Sequence, residues 1–209
     1  MNTMPRTLYF VRHGQSLSNA GGLTMEDAEV PLTETGLTQA NALAERLPVT
    51  PSAVFASPYL RTRDTAMPYA RQVGIDILLD HALHEFRNID ADLLQGMTGI
   101  ERRPIALAFW EGSDPHRRMG PRAETFAEFD ARVQTFIAGT LPRLSDRSVL
   151  FGHGRWIGLL IWKLSGGDTH GAVGMRAFWN YACTLPMPNT AVYRFTESHQ
   201  GGGWNIAGP

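Results

Sequence analysis

An arginine and a histidine follow an apolar segment near the N-terminus of the chain. The four apolar residues 8–11 predict a buried strand, and Arg12, His13 and Gly14 come directly after them. Ligands of open α/β sheets bind beyond the carboxyl ends of the strands. Arg12 and His13 are therefore expected where a ligand would bind, with the charge and the titratable group that chemistry on an anion requires.

Three other polar side chains also lie just after predicted strands, as Arg12 and His13 do. Arg61 stands at the start of a predicted helix after the second strand, Glu85 lies just beyond the third strand, and His153 follows a later strand in a Gly-His-Gly sequence. The carboxyl ends of neighbouring parallel strands meet at one edge of a sheet, so we expect these side chains to lie near His13.

Two histidines, two arginines and a carboxylate are the groups needed for phosphoryl transfer through a phosphohistidine. A neutral imidazole nitrogen can attack phosphorus, and a planar guanidinium matches the phosphoryl oxygens and keeps its charge. A carboxylic acid can protonate the leaving alkoxide and then act as a base toward water. Nearby guanidinium groups should lower the pKa of His13 and keep its ring neutral and nucleophilic.

The predicted elements alternate between strand and helix. This alternation predicts a three-layer α/β/α sandwich with a mostly parallel central sheet, built as one domain over residues 1–209. Ser57 is expected to cap the helix 57–74, with Pro58 as its first residue. Residues 81–121 are irregular apart from a helix over 100–110, and we expect them to form a lid or a substrate-facing insertion. Other predicted helices span residues 31–48, 123–144 and 169–176.

Composition excludes several classes of function. A formal net charge of −1 gives no reason to expect nucleic acid or an anionic membrane as a partner. Cys183 is the single cysteine, and no Cys/His spacing suggests a zinc site. These features predict a cytoplasmic protein with a small phosphorylated substrate and no metal or cofactor. The sequence leaves the oligomeric state open, with a homodimer as one option.

The chain resembles the histidine phosphatase superfamily, also called the phosphoglycerate mutase-like family. The resemblance rests on the order of several motifs, which extend over almost the whole chain: "VRHGQSLSN", "PLTETGLTQA", "SPYLRTRDTA", "LHEF", "ETFAEFDARV", "VLFGHG" and "NTAV". Each motif alone is a weak signal, whereas their order and their strand context together are specific.

The resemblance implies a role for each candidate residue. His13 would be the phosphorylated nucleophile and Glu85 the general acid and base, with Asp90 as its rival. Residues implied around the phosphoryl oxygens are Arg12, Asn19, Arg61 and His153, with Arg63 as a rival to Arg61. Gly154 is expected to contact the substrate as well. Separately, we expect Arg155, two residues beyond His153, to contact an acidic group other than the transferred phosphate.

Departures from the family pattern favour a phosphatase over a mutase. Phe86 stands where the cofactor-dependent mutases have an arginine, and Gly99 stands where they have a lysine. The segment "HRRMGPR", residues 116–122, favours the mutase alternative because it resembles their paired arginines. A non-catalytic phospho-ligand-binding module is a third alternative, although every expected site residue is present. The sequence leaves the substrate open.

Overall fold

One six-stranded sheet forms the centre of residues 5–198 and 203–209, which are the residues that the computed structural model describes. The strands are β1 (Thr7–Arg12), β2 (Val54–Ala56), β3 (Ile77–Leu79), β4 (Val149–Gly152), β5 (Val192–Glu197) and β6 (Trp204–Ala207). Their spatial order is β3-β2-β4-β1-β5-β6. Pairing is parallel from β3 to β1 and antiparallel at β5 and β6, which confirms the predicted mostly parallel sheet.

Helices cover both faces of this sheet. They are α1 (Glu34–Arg46), α2 (Leu60–Val73), α3 (Gly99–Gly112), α4 (Phe126–Thr135), α5 (Gly154–Leu164) and α6 (Gly171–Thr184). Alternate side chains of β1 point to opposite faces. Phe10 joins an apolar cluster with α3, α4, α5 and α6, and Val11 joins a second cluster with α1 and α2. The predicted three-layer sandwich is therefore confirmed.

The register between β1 and β4 sets the position of the two candidate histidines. Arg12 pairs with Gly152, the last residues of two adjacent parallel strands. The His13 N–H then donates to the Gly152 carbonyl at 3.1 Å. His13 and His153 each follow one of these strands, and their ring centroids lie 5.2 Å apart.

The predicted start of α2 was wrong. The helix begins at Leu60 after Tyr59, so Ser57 is not its cap and Pro58 is not its first residue. The Ser57 hydroxyl lies 2.9 Å from His153 Nε2 instead. A bend at residues 58 and 59 then leads into the helix.

The predicted long helix over 123–144 was wrong at both ends. α4 begins at Phe126 after a capping box in which Thr125 and Glu128 bond to each other's backbone N–H groups. It ends at Thr135. A turn of π-helix follows over Phe136–Thr140, and a turn of 3-10 helix over Leu141–Arg143. Pro142 has no N–H, so the regular hydrogen bonding cannot continue through it.

The other predicted helices formed, with different bounds. The helix expected over 100–110 is α3, and the short helix expected over 169–176 extends to Thr184 as α6. No helix in the described residues has both the length and the apolar character that a membrane span needs.

A pair of glycines lets α1 approach the loop that follows β1. A Cβ atom on Gly36 would lie 2.0 Å from the Gln15 carbonyl oxygen, and one on Gly14 would lie 2.7 Å from the Gly36 carbonyl oxygen. Both contacts are with backbone, which cannot rotate away. Thr33, the cap of α1, donates its hydroxyl to the Gln15 side chain at 2.8 Å and so ties the same two segments together.

The Gly36→Ala substitution is expected to lower the free energy of unfolding by about 2–4 kcal/mol, because overpacking against backbone forces main-chain shifts. Gly139→Ala is the matched control, since its Cβ would make an ordinary contact at 3.7 Å with the end of the Arg143 side chain. We expect that control to stay within about 1 kcal/mol of the parent. Urea unfolding curves measure both variants, and equal midpoints for the two would contradict this account.

Candidate active site

The His13 ring is buried and is held from both of its nitrogen atoms. Nδ1 lies 2.7 Å from the Gly14 carbonyl oxygen, and Arg61 Nε donates to Nε2 at 3.3 Å. A carbonyl only accepts and a guanidinium only donates, so the proton must lie on Nδ1 and the lone pair on Nε2. Burial, and then the charge of Arg61, lower the pKa of His13 well below its usual value. The ring is therefore a neutral base whose lone pair lies at Nε2.

Arg61 is buried near the start of α2 and has a carboxylate partner. Its Nη2 lies 3.0 Å from an Asp27 carboxylate oxygen, and its Nη1 donates to the Asp27 backbone carbonyl. The guanidinium also lies over the Tyr59 ring, 4.9 Å from the centroid. These contacts fix the orientation in which Nε faces His13. Arg63, its rival in the sequence, is exposed.

Arg12, the last residue of β1, also lines the site. Its Nη1 donates to the Met187 carbonyl, while its buried Nε has no hydrogen-bond partner among the described residues. Burial lowers the pKa of this guanidinium. A Cβ on Gly154 would lie 3.4 Å from Arg12 Nε and 3.2 Å from Met187 Cγ, so glycine leaves room for both side chains. The unpartnered N–H is a donor available to a bound anion.

His153 lies behind His13 and is fully buried. Its Nε2 contacts the Ser57 hydroxyl, which also accepts the Tyr59 N–H at 3.4 Å. Burial, followed by the charge of Arg61, lowers the pKa of His153 well below its usual value. Its Nδ1 has no partner among the described residues. A neutral second imidazole thus lies against the nucleophile candidate with one polar atom unsatisfied.

Glu85 lies at the amino end of α5. Its Oε1 accepts the N–H groups of Phe86 and Trp156 at 2.9 and 3.1 Å, and its Oε2 accepts the N–H of Arg155 at 3.1 Å. A helix N-terminus favours an anion at this position. Because Oε2 accepts one N–H only, it retains a lone pair that can carry a proton.

The rival carboxylate, Asp90, has a different environment. It accepts the backbone N–H of Arg122 at 2.9 Å and two guanidinium N–H groups of the same residue. The Arg122 hydrogen bonds, its backbone N–H first, lower the pKa of Asp90. Asp90 thus anchors the loop that carries Arg122.

Asn19 is fixed by accepting hydrogen bonds through its Oδ1 atom. Asn189 Nδ2 donates to it at 3.1 Å and the Ser16 N–H donates to it at 3.3 Å. Because Oδ1 faces Asn189 and Ser16, the Asn19 Nδ2 group points away from them. Asn189 Nδ2 also lies 3.2 Å from the His13 carbonyl oxygen, so it links Asn19 to the loop of His13.

A cavity of about 510 Å³ brings most of the expected residues together. Its lining includes Arg12, His13, Asn19, Arg61, Glu85, Gly154 and Arg155. His153 does not line the cavity and reaches it only through its contact with His13. In the described residues, no group of three or more His, Cys, Asp and Glu side chains is arranged to hold a metal ion.

Arg155 lies in the cavity wall without a carboxylate partner among the described residues. Its guanidinium carbon is 6.0 Å from the centroid of the Trp110 ring. Burial lowers the pKa of Arg12 and the charge of Glu85 raises it. The positive charge of Arg155 also lowers this pKa, by a smaller amount. Two positive side chains therefore act on the same part of the cavity.

Sequence reasoning missed Asp27 and Asn189. Asp27 lies in a short turn within the irregular segment between β1 and α1, where no motif distinguishes it from other acidic residues. Asn189 belongs to the "NTAV" segment, which was recognised as a family motif without a role for the asparagine. A pattern of strand and helix cannot show which loop folds back over a strand end, so neither contact was predictable.

Comparison with protein families identifies this arrangement. Residues 8–206 match the model of the histidine phosphatase superfamily, branch 1. A protein of Hydrogenobacter thermophilus, provisionally named a phosphoserine phosphatase, is 26% identical over 94% of this chain and 91% of its own length. A protein of Enterobacter sp. strain 638, provisionally named a phosphoglycerate mutase, is 33% identical over 76% of this chain and 74% of its own length.

Solved structures share the fold. A mycobacterial glucosyl-3-phosphoglycerate phosphatase superposes with a TM-score of 0.72 at 24% identity over 98% of each chain. A phosphoserine phosphatase from Entamoeba histolytica, in complex with 3-phosphoglyceric acid, superposes with a TM-score of 0.71 at 20% identity over 96% of this chain and 94% of its own. The family match covers nearly the whole chain and the fold agrees with it. The protein is thus a member of branch 1 of the histidine phosphatase superfamily.

Proposed function

We propose that this protein hydrolyses a phosphomonoester through a phosphohistidine on His13. The observation that supports this most strongly is the state of the ring, which is neutral, buried and bonded so that the lone pair lies on Nε2 beside Arg61. Arg12 and Arg61 supply positive charge on the same cavity, and Arg12 Nε has a free N–H. Catalysis of phosphoryl transfer consists mostly of such positioning and charge stabilisation.

In the first step, Arg61 Nε turns its N–H from His13 Nε2 to a phosphoryl oxygen, and the freed Nε2 lone pair attacks phosphorus as the bond from phosphorus to the ester oxygen breaks. Glu85, protonated on Oε2, gives its proton to the departing alkoxide, so a neutral alcohol leaves. Arg12, Arg61 and Asn19 bind the phosphoryl oxygens, and positive charge from the two arginines offsets the charge on them.

Because the arginines supply this positive charge in place of a metal ion, we expect activity to persist in the presence of EDTA, which removes divalent cations.

In the second step, water replaces the alcohol. Glu85, now a carboxylate, takes a proton from the water as its oxygen attacks phosphorus, and the bond from phosphorus to Nε2 breaks. Inorganic phosphate leaves, His13 is neutral again and Glu85 is again protonated. His153 packs against the His13 ring, and we assign it the role of holding that ring in place during these steps.

Two departures from the mutase pattern support hydrolysis over transfer to a second hydroxyl. Phe86 is in the core, with its ring stacked 4.5 Å from that of Phe129, so it offers no charge to an acceptor. A Cβ on Gly99 would lie 2.7 Å from the Gly21 Cα, so a lysine cannot occupy that position without moving the backbone.

Two of the three arginines in residues 116–122, Arg118 and Arg122, give the mutase alternative little support. Arg118 donates to the Ala123 carbonyl and pairs with Glu128. Arg122 pairs with Asp90, Glu26 and Asp92. Both side chains are thus bound within the protein. Since the relatives include proteins named for each activity, the choice of a phosphatase rests on these residues.

The segment 81–121 is proposed to be the substrate-facing part of the domain. It contributes residues 85–91, Leu94, Gly99, Arg102, Arg103 and Ala106 to the cavity lining. Arg155 is proposed to bind an acidic group of the substrate beyond the transferred phosphate, because it lines the same cavity and no described carboxylate neutralises it.

Replacing His13 by alanine should abolish turnover of p-nitrophenyl phosphate, because no nucleophile would then face the phosphoryl group. The parent enzyme, quenched within the first turnover, should carry one phosphoryl group per chain that is stable to base and lost in acid. His81→Ala, an exposed histidine outside the proposed site, is the matched control and should retain activity. Substantial activity in His13→Ala would refute the mechanism.

Glu85→Gln should slow esters of alkyl alcohols far more than p-nitrophenyl phosphate, whose leaving group needs little protonation. Proton transfer of this kind contributes about 10²–10⁴-fold. The ratio of kcat/KM for the two esters, compared between variant and parent, measures the effect. An unchanged ratio would assign the acid role to another group, and Asp90→Asn is the variant to examine next.

Arg155→Ala should lower kcat/KM for an ester that carries a carboxylate, such as phosphoserine, by roughly tenfold to a hundredfold, the loss of one hydrogen bond to a charged group. Turnover of p-nitrophenyl phosphate, which has no second acidic group, should change little. Arg63→Ala, which removes an exposed arginine outside the cavity wall, is the matched control. Equal losses on both esters would show that Arg155 acts on the phosphoryl group itself.

A further inference from the structure

The cavity is much larger than the phosphoryl group requires. Its volume of about 510 Å³ lies in the range of pockets that enclose whole organic ligands. Arg12, His13 and Arg61 account for one part of its wall. The rest of the volume is available to the alcohol portion of the ester. The residues that line this volume therefore indicate which kind of alcohol would bind there.

The remaining wall is mixed, with polar residues such as Arg87, Asn88 and Arg103 and a set of apolar side chains. Side chains from the segment after β1, the segment 91–94, α3 and the end of α6 with the loop after it contribute to this apolar set: Leu23, Met25, Leu94, Ala106, Leu185 and Met187. Leu23 and Met25 are 62% and 40% exposed. Single exposed apolar side chains are common on protein surfaces, but these two line the same cavity as four others. A ligand that covered them would gain the free energy of removing apolar surface from water.

The apolar wall begins directly beside the phosphate-binding groups. The Met187 backbone carbonyl accepts the hydrogen bond from Arg12 Nη1. A Cβ placed on Gly154 would lie 3.2 Å from Met187 Cγ and 3.4 Å from Arg12 Nε, so the thioether side chain and the guanidinium flank the same glycine. The first carbons of the leaving alcohol would therefore meet Met187.

Two cationic side chains of the wall are already bound within the protein. Arg102 donates to the Ser18 carbonyl at 2.7 Å and to the Gly22 carbonyl at 2.8 Å. Arg122 is paired with Asp90 and Glu26. These two arginines hold the cavity's loops in place, so the ligand would contact the apolar side chains together with Arg155, which has no carboxylate partner among the described residues.

We propose that the alcohol portion of the substrate has a large apolar part, and that this part packs on Met187, Leu185, Leu23 and Met25, beside the acidic group assigned to Arg155. This inference rests on the phosphatase function proposed above and adds the class of alcohol. A three-carbon phosphorylated acid would bury almost no apolar surface against this wall.

A series of n-alkyl monophosphates from ethyl to octyl tests the inference, because the leaving alcohols have nearly equal pKa values and only the apolar surface grows. We expect kcat/KM to rise about two- to fourfold with each added CH₂ until the cavity is filled. Leu23→Ser and Met25→Ser should reduce this slope. Leu17→Ser is the matched control, since Leu17 belongs to the same segment and is 41% exposed, yet it does not line the cavity.

The possible results separate this inference from the proposed function. A flat or falling series, with p-nitrophenyl phosphate still hydrolysed, would overturn the apolar alcohol and leave the phosphatase intact. A slope unchanged in Leu23→Ser and Met25→Ser would also overturn it, because other surfaces would then be responsible. Absence of hydrolysis for every ester would refute the phosphatase function, and the inference with it.

Discussion

The hydrogen bond from His13 Nδ1 to the Gly14 carbonyl is the constraint on which the candidate site depends. It fixes the proton on one nitrogen and leaves the other as a lone pair facing Arg61. The backbone that supplies this carbonyl is held by the close approach of Gly14 and Gly36 and by the pairing of β1 with β4. The central sheet thus sets both the position of the ring and its tautomer.

Arg61 and Glu85 both have partners within the protein before any substrate binds. Asp27 pairs with Arg61, and three backbone N–H groups hold the Glu85 carboxyl group. In the proposed mechanism, a phosphoryl dianion would compete with Asp27 for the Arg61 guanidinium. We expect that competition to weaken the binding of substrate and of inorganic phosphate alike, which would favour release of phosphate after hydrolysis. Arg12, with a free Nε–H, has no such competitor at that atom.

The ends of β1 and β4 were predictable, because in each case a run of apolar residues stops just before a histidine, His13 or His153. In a parallel sheet such strand ends meet at one edge. In the structure, Arg12, His13, Arg61 and Glu85 line one cavity, while their roles in it stay a proposal. The contacts of Ser57 were not predictable, since a serine before a helix is usually its cap and only the folded sheet brings it to His153. Asp27 was missed for a similar reason: its contact depends on how an irregular loop folds.

The protonation state of His13 is the central claim, and ¹⁵N NMR of histidine-labelled protein measures it directly, with His13→Gln used to assign the signal. The account predicts that His13 stays neutral as the pH falls through 6.5, with a proton on Nδ1 and none on Nε2, because burial and Arg61 lower its pKa well below that value. A ring that gained a proton with a midpoint near pH 6.5, or one that was protonated at Nε2, would contradict the account.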